Sequence, residues 1–134
     1  MSFRLGTLFE RNFTVTFVDV EMFSRVSSDR NPIHIDIQAA KKSRFGKPIA
    51  HGMLTGSFFS ALITQSFGSG ALYLEQNLKF LAPVYMNSDL KCRITILGII
   101  PKKNNSVLYK LQTDGFVGDK QVIQGSAVIM CDSE

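Results

Sequence analysis

Asp29-Arg30-Asn31-Pro32-Ile33-His34 sets a carboxylate and an imidazole five positions apart across an Asn-Pro turn, and Ala50-His51-Gly52-Met53 follows where a long apolar segment begins. These residue types suit acid/base work on water. A general base must take a proton from water while a general acid supplies one to carbon, and Asp with His spans both roles near neutral pH. Gly52, at the start of a helix, would present an N–H with no intrahelical acceptor at the positive end of the helix dipole, a donor for an oxygen that gains negative charge. Pro32 sets its own φ, and Asn31 can hydrogen-bond a neighbouring loop group or orient a substrate or catalytic partner. Asp, Asn and Pro also favour plain turns, and a His-Gly pair can simply begin a tightly packed helix. His51 reads as a structural hydrogen-bonding residue before a third catalyst. The turn reading leaves His34, and the pairing of the two segments, unexplained.

Such groups need a frame. Phe13, Val15 and Phe17 alternate with Asn12, Thr14 and Thr16, the period of a half-buried strand over 12–17. Asp19 can cap a short helix to about residue 27, with Met22, Phe23 and Val26 at helical spacing, and Asp36 can cap a helical turn over 37–42. The 29–34 run is then a loop between two short helices. Residues 52–67 are the longest helical candidate, closed by Gly68. Leu54, Phe58, Ala61 and Leu62 form one apolar stripe, and Met53, Phe59 and Ile63 widen it so far that the helix must be surrounded by protein. Gly52, Gly56 and Ser60 recur every four residues as a stripe of small side chains open to a strand, a partner helix or a ligand.

Beyond that helix the period changes to two, over 71–81, 88–100, 107–116 and 120–131. Pro83 and Pro101 sit at strand boundaries, with turns at Lys102-Lys103-Asn104-Asn105 and Val117-Gly118-Asp119. Strand, short helices, long buried helix and four-stranded meander, in that order, predict an α+β hot-dog fold: a curled antiparallel β-sheet wrapped around a long central helix.

The chain of 134 residues, 45% hydrophobic, supplies one core and reads as a single domain over 1–134 without linker or repeat. Its formal charge of +4 is spread over scattered Lys and Arg with no aromatic-interleaved basic stripe, which argues against nucleic acid. Cys92 and Cys131 lie in strand segments without metal-ligand spacing, so reduced thiols and no metal site are expected. Residues 1–10 hold no apolar run of signal-peptide length, and Thr55, Ser57, Ser60, Thr64 and Gln65 make 52–67 too polar for a bilayer span. A cytoplasmic protein with no membrane insertion is the expectation.

Phe23 through Met53, with both runs quoted above, resembles the hydratase-2 motif of the MaoC-like (R)-specific enoyl-CoA hydratases, and Tyr73 through Val84 is similar to that family's strand after the long helix. The likeness covers most of the chain. It implies reversible syn hydration of a trans-2-enoyl thioester to the (R)-3-hydroxyacyl thioester, with no metal or redox cofactor, because the thioester itself makes the α-carbon protonatable. By motif position, it implies that Asp29 and His34 hold and activate the water and handle the proton for C2. Gly52 N–H would bind the thioester oxygen, Asn31 would orient the site, and Ser60, on the same helical stripe, would support it. The family motif usually has Gly immediately before the Asp. Ser28 stands there in this chain, a departure that bears on loop geometry or substrate fit and leaves both proton-transfer groups intact.

Lys41, Lys42, Arg44 and Lys47 form a basic cluster between the motif halves, suited to CoA phosphates or an acidic acyl carrier protein, or to plain solvation. Phe58, Phe59, Leu62, Ile63 and Ile129 can line an acyl pocket, though each reads first as core. One helix and one sheet leave the far side of a substrate groove unbuilt, so a homodimer with its tunnel near the subunit boundary is expected. Two other functions use the same frame. A hot-dog thioesterase would attack the carbonyl carbon and release thiol, and a noncatalytic module would bind acyl thioesters without turnover.

Overall fold

A computed structural model describes residues 3–133. β1 (Leu8–Thr14) leads into α1 (Phe17–Ser27), and the boundary is set by a capping box. The Thr16 hydroxyl accepts from the Asp19 N–H at 3.2 Å, while the Asp19 carboxylate accepts from the Thr16 N–H at 3.0 Å. Thr16 is therefore the cap and Asp19 its reciprocal partner, so the helix begins earlier than an Asp19 cap implies and takes Phe17 out of the strand.

The 29–34 run is not a simple loop. α2 (Pro32–Ile35) is a single helical turn with Pro32 at its start, where a missing N–H costs nothing, and Asn31 as its cap. α3 (Ile37–Lys42) follows, with the Asp36 carboxylate accepting from the Gln38 and Ala39 N–H groups at 2.9 and 3.2 Å. α4 (Gly52–Phe67) spans the 16 residues that the apolar pattern delimits. Its Leu54, Phe59, Leu62 and Ile63 join one buried cluster with Leu90, Ile94, Ile96, Leu111, Ile123 and Ile129 of the sheet. Each such side chain stabilises the fold by about 1.5–3 kcal/mol through burial alone. Phe58 stacks on Phe13, ring centres 4.7 Å apart. Phe59, Leu62, Ile63 and Ile129 are core residues here.

β2 (Leu72–Phe80), β3 (Asp89–Lys102), β4 (Ser106–Val117) and β5 (Lys120–Asp132) complete a five-stranded antiparallel sheet in the order β1-β3-β4-β5-β2. Only β3, β4 and β5 form a meander. β2 crosses to pair with β5, with Leu78 opposite Gly125. A Cβ at Gly125 would collide with the backbone carbonyl of Asn77, so this close pairing needs glycine. The 81–88 connection is tied to two elements: Ala50 N–H, just ahead of α4, donates to the Val84 carbonyl at 2.8 Å, and Leu81 N–H donates to the Val122 carbonyl of β5 at 2.8 Å. Pro101 lies within β3 rather than at its end, because β1 pairing stops at Thr95 and β3 is an open edge beyond it, where a lost N–H is tolerated. Asn104 and Asn105, with φ of 71° and 59°, make the tight β3–β4 turn. Among the described residues, no helix is long and apolar enough to cross a membrane.

Candidate active site

α1 is closed by Ser28 as its C-cap, whose φ of 64° is left-handed backbone and turns the chain sharply into Asp29. Glycine adopts that conformation without steric cost, which gives the motif's usual glycine its physical sense. Local hydrogen bonds hold the turn: Asp29 N–H donates to Ser27 Oγ at 3.0 Å, and Asp29 Oδ1 accepts from Asn31 N–H at 3.3 Å. Asp29 is exposed, while α2 carries His34 inward until it is 7% exposed.

The His34 Nδ1–H donates to the Ile49 carbonyl at 2.7 Å, so the neutral ring leaves its Nε2 lone pair free to accept a proton. Burial holds the His34 pKa below the ordinary 6.5; the Ile49 hydrogen bond opposes that, neighbouring His51 adds to it, and the Asp29 charge opposes it.

His51, 2% exposed, caps α4 and stacks on His34 with ring centres 3.9 Å apart and planes at 25°. Its Nε2 lies 2.9 Å from the Asp29 carbonyl oxygen and 3.2 Å from the Ser24 hydroxyl. Asp29, His34 and His51 each bring one ligand-type atom to within 4.8 Å of the others. The stacked rings do not suit a shared ion, because each imidazole lone pair lies in its own ring plane, and two planes inclined at 25° with centres 3.9 Å apart do not meet within the about 2.0–2.1 Å that ligation requires.

His34 and Gly52 line one pocket of ≈ 360 Å³, with Phe45, Thr55, Phe80 and Ile123 among its walls. The Phe80 ring lies against Gly52 so closely that an added Cβ would be 2.9 Å from it. Ser60 is elsewhere, two turns and about 12 Å along α4, in a groove of ≈ 380 Å³ with Met53, Gly56, Tyr73, Gln76 and Leu78. The Asn31 side-chain oxygen accepts from Ile33 N–H at 3.3 Å and is used as a helix cap. The basic residues divide. Arg44 lies over the Phe45 ring at 5.1 Å and Lys47 over Tyr85 at 4.7 Å, on the turn that carries Phe45 into the pocket wall, whereas Lys41 and Lys42 are exposed in the last turn of α3.

The family described as MaoC like domain matches residues 6–114. The chain belongs to the MaoC-like family. Over 118 residues it is 36% identical to the (R)-specific enoyl-CoA hydratase of Rhodospirillum rubrum, a match that covers 87% of this chain and 80% of that one. It is 35% identical over 112 residues to the 3-hydroxybutyryl-CoA dehydratase of Methylorubrum extorquens, covering 83% and 69%. Its fold is similar to that of R-hydratase PhaJ1 from Pseudomonas aeruginosa, with a TM-score of 0.88, 36% identity and coverage of 98% and 84%. The hot-dog architecture expected from element order is the MaoC-like architecture found.

Three contributors to this MaoC-like site escape a reading of side-chain types. Ile49 acts through its backbone carbonyl, which any residue carries. Ser24 is an unremarked helix residue until folding buries it, 1% exposed, beside His51. Phe80 ends a strand, and only the crossing of β2 to β5 brings it over Gly52.

Proposed function

We propose that this MaoC-like chain catalyses the reversible hydration of a trans-2-enoyl thioester to the (R)-3-hydroxyacyl thioester through Asp29 and His34. One observation carries the assignment of residues: a carboxylate oxygen of Asp29 and a ring nitrogen of His34 lie no more than 4.8 Å apart, a span that one water bridges with two hydrogen bonds of about 2.8 Å. The names of the relatives support the reaction, since (R)-specific enoyl-CoA hydratase and 3-hydroxyacyl-[acyl-carrier-protein] dehydratase describe its two directions.

The water oxygen attacks C3 as one of its protons passes to the Asp29–His34 pair, and the pair returns a proton to C2. The net change is H–OH across C2=C3 from one face. His34, kept neutral by burial and held by Ile49, offers Nε2 to the water. Electron density displaced towards the carbonyl gathers on the thioester oxygen, where Gly52 N–H at the positive end of α4 receives it. A preorganised donor of this kind accelerates such steps by about 10²- to 10³-fold. CoA and acyl carrier protein both fit as the thiol carrier.

The same reading takes the active species as a homodimer. β2 is an edge strand, and Leu72, Leu74 and Phe80 on it, with Met53 on α4, are 53%, 46%, 49% and 62% exposed. An unpaired apolar edge of this kind is an association surface. Cys92 and Cys131, both free, suit a reducing compartment such as the cytoplasm.

The test is incubation with crotonyl-CoA. Loss of the conjugated absorbance without thiol release, with an (R)-3-hydroxy product, is expected. Thiol release in its place would make the chain a thioesterase, and ligand-induced stabilisation with no turnover on any enoyl or hydroxyacyl thioester would leave only a binding module. Sedimentation at micromolar concentration should show two copies per particle, and a fully active monomer would remove the dimer.

A further inference from the structure

Asp29 sits on an exposed turn just beyond a helix end, yet the hydration reading needs its carboxylate held against His34. Most of the turn's hydrogen bonds are local, to Ser27 and Asn31. One reaches across the fold. His51 Nε2 lies 2.9 Å from the Asp29 carbonyl oxygen, 22 positions away in the chain, while the flat of the same ring covers His34 with centres 3.9 Å apart.

The surroundings decide the tautomer. The Asp29 carbonyl can only accept, so in the neutral ring the hydrogen is on Nε2, shared between that carbonyl and the Ser24 oxygen 3.2 Å away. The other tautomer would set two lone pairs against each other at 2.9 Å and bury an Nδ1–H without an acceptor, since His51 Nδ1 has no hydrogen-bond partner among the described residues. Phe23, ring centre 4.9 Å from that of His51, packs against the imidazole, and the ring is 2% exposed.

We propose that His51 is a positioning residue for the hydration: its Nε2–H ties down the backbone of Asp29 and its ring face fixes the plane of His34, so that one side chain sets the distance between the two proton-transfer groups. This rests on the assignment of Asp29 and His34 to the chemistry. His51 itself touches no reacting atom. Its effect is geometric, and a displacement of about 1 Å in such a pair costs on the order of 10²-fold in rate.

Glutamine provides the discriminating variant, because its amide nitrogen reaches the place of Nε2, whereas that of asparagine reaches only the place of Nδ1, where no acceptor lies. With crotonyl-CoA, His51→Ala and His51→Asn are expected to lose about 10- to 100-fold in kcat with KM little changed, and His51→Gln, which restores the bond to Asp29 without the ring face, to recover part of that loss. Turnover by His51→Ala at the wild-type rate would overturn the proposal. So would equal kcat in the folded Gln and Asn variants, a comparison that stands even if the alanine protein does not fold. Failure of the hydratase reading looks different: wild type would then be inactive, or Asp29→Asn and His34→Ala would keep full activity.

Discussion

The Nδ1 atom of His34 and the carbonyl oxygen of Ile49 are 2.7 Å apart, and this bond leaves the neutral imidazole with its free lone pair on Nε2. Because burial also lowers the His34 pKa from 6.5, the ring resists protonation in the folded protein. The acid limb of kcat/KM is therefore expected to have its midpoint below 6.5. A midpoint above that value would mean that another group controls the limb.

The same shift has a sign for stability. The unfolded chain binds the His34 proton near 6.5, and the folded chain only at lower pH. Between those values the unfolded state carries more protons, so this contribution is complete above 6.5 and is lost as the pH falls through the window beneath it. In urea titrations from about pH 7 to about pH 5, wild type should lose stability relative to His34→Gln. An unchanged difference would contradict it.

Asp29→Asn and His34→Ala should each lower kcat for crotonyl-CoA hydration by about 10²- to 10⁴-fold without a matching loss of fold in circular dichroism. Near-wild-type turnover in both would remove them from the chemistry.

Ser28→Gly is expected to stabilise the protein by about 0.5–1 kcal/mol, because a side chain at φ 64° bears a strain that glycine lacks. Thermal unfolding checks this, and a lowered midpoint would show that the Ser28 side chain contributes more than its backbone costs.

Gly125→Ala should destabilise by at least about 2 kcal/mol, since the new methyl group meets the Asn77 carbonyl and must push β2 off β5. Gly98→Ala is the control: its Cβ would come no closer than 3.3 Å to another atom, Lys110 Cβ, a tight contact that a shift of a few tenths of an ångström relieves. Equal unfolding midpoints for the two variants would count against the β2–β5 constraint.

Neutralising Lys41, Lys42, Arg44 and Lys47 together should raise KM for CoA thioesters and flatten its dependence on salt, because screening then has less charge to act on. Unchanged KM and salt response would assign the cluster to the solvated surface.

Local signals predict local features well in this chain. The apolar pattern and Gly68 delimit α4 because a helix face and its end are written within a few turns of sequence, and Asp36 marks the start of α3 for the same reason. Thr16 and Asp19 show the limit: both are cap-forming residues, and only the reciprocal bond between them decides which one starts α1. Asn31 and Pro32 are turn residues by type, yet the same pair starts a helical turn when the side-chain oxygen of Asn31 finds the Ile33 N–H. Among the candidate residues, Gly52 shares a pocket with His34 and Ser60 does not, although both lie on one small-residue stripe, because β2 closes over that stripe and separates its two ends.

The sequence by itself determined the α+β element order, the long buried helix and the residue types able to move protons, since periodicity, caps and side-chain chemistry are properties of neighbours along the chain. Tertiary structure decided that β2 pairs with β5, that Gly52 shares a pocket with His34, and that His51 lies between a backbone carbonyl and an imidazole. Those outcomes depend on contacts between distant segments and on peptide carbonyls, which are the same in every residue and so leave no trace in the order of side chains.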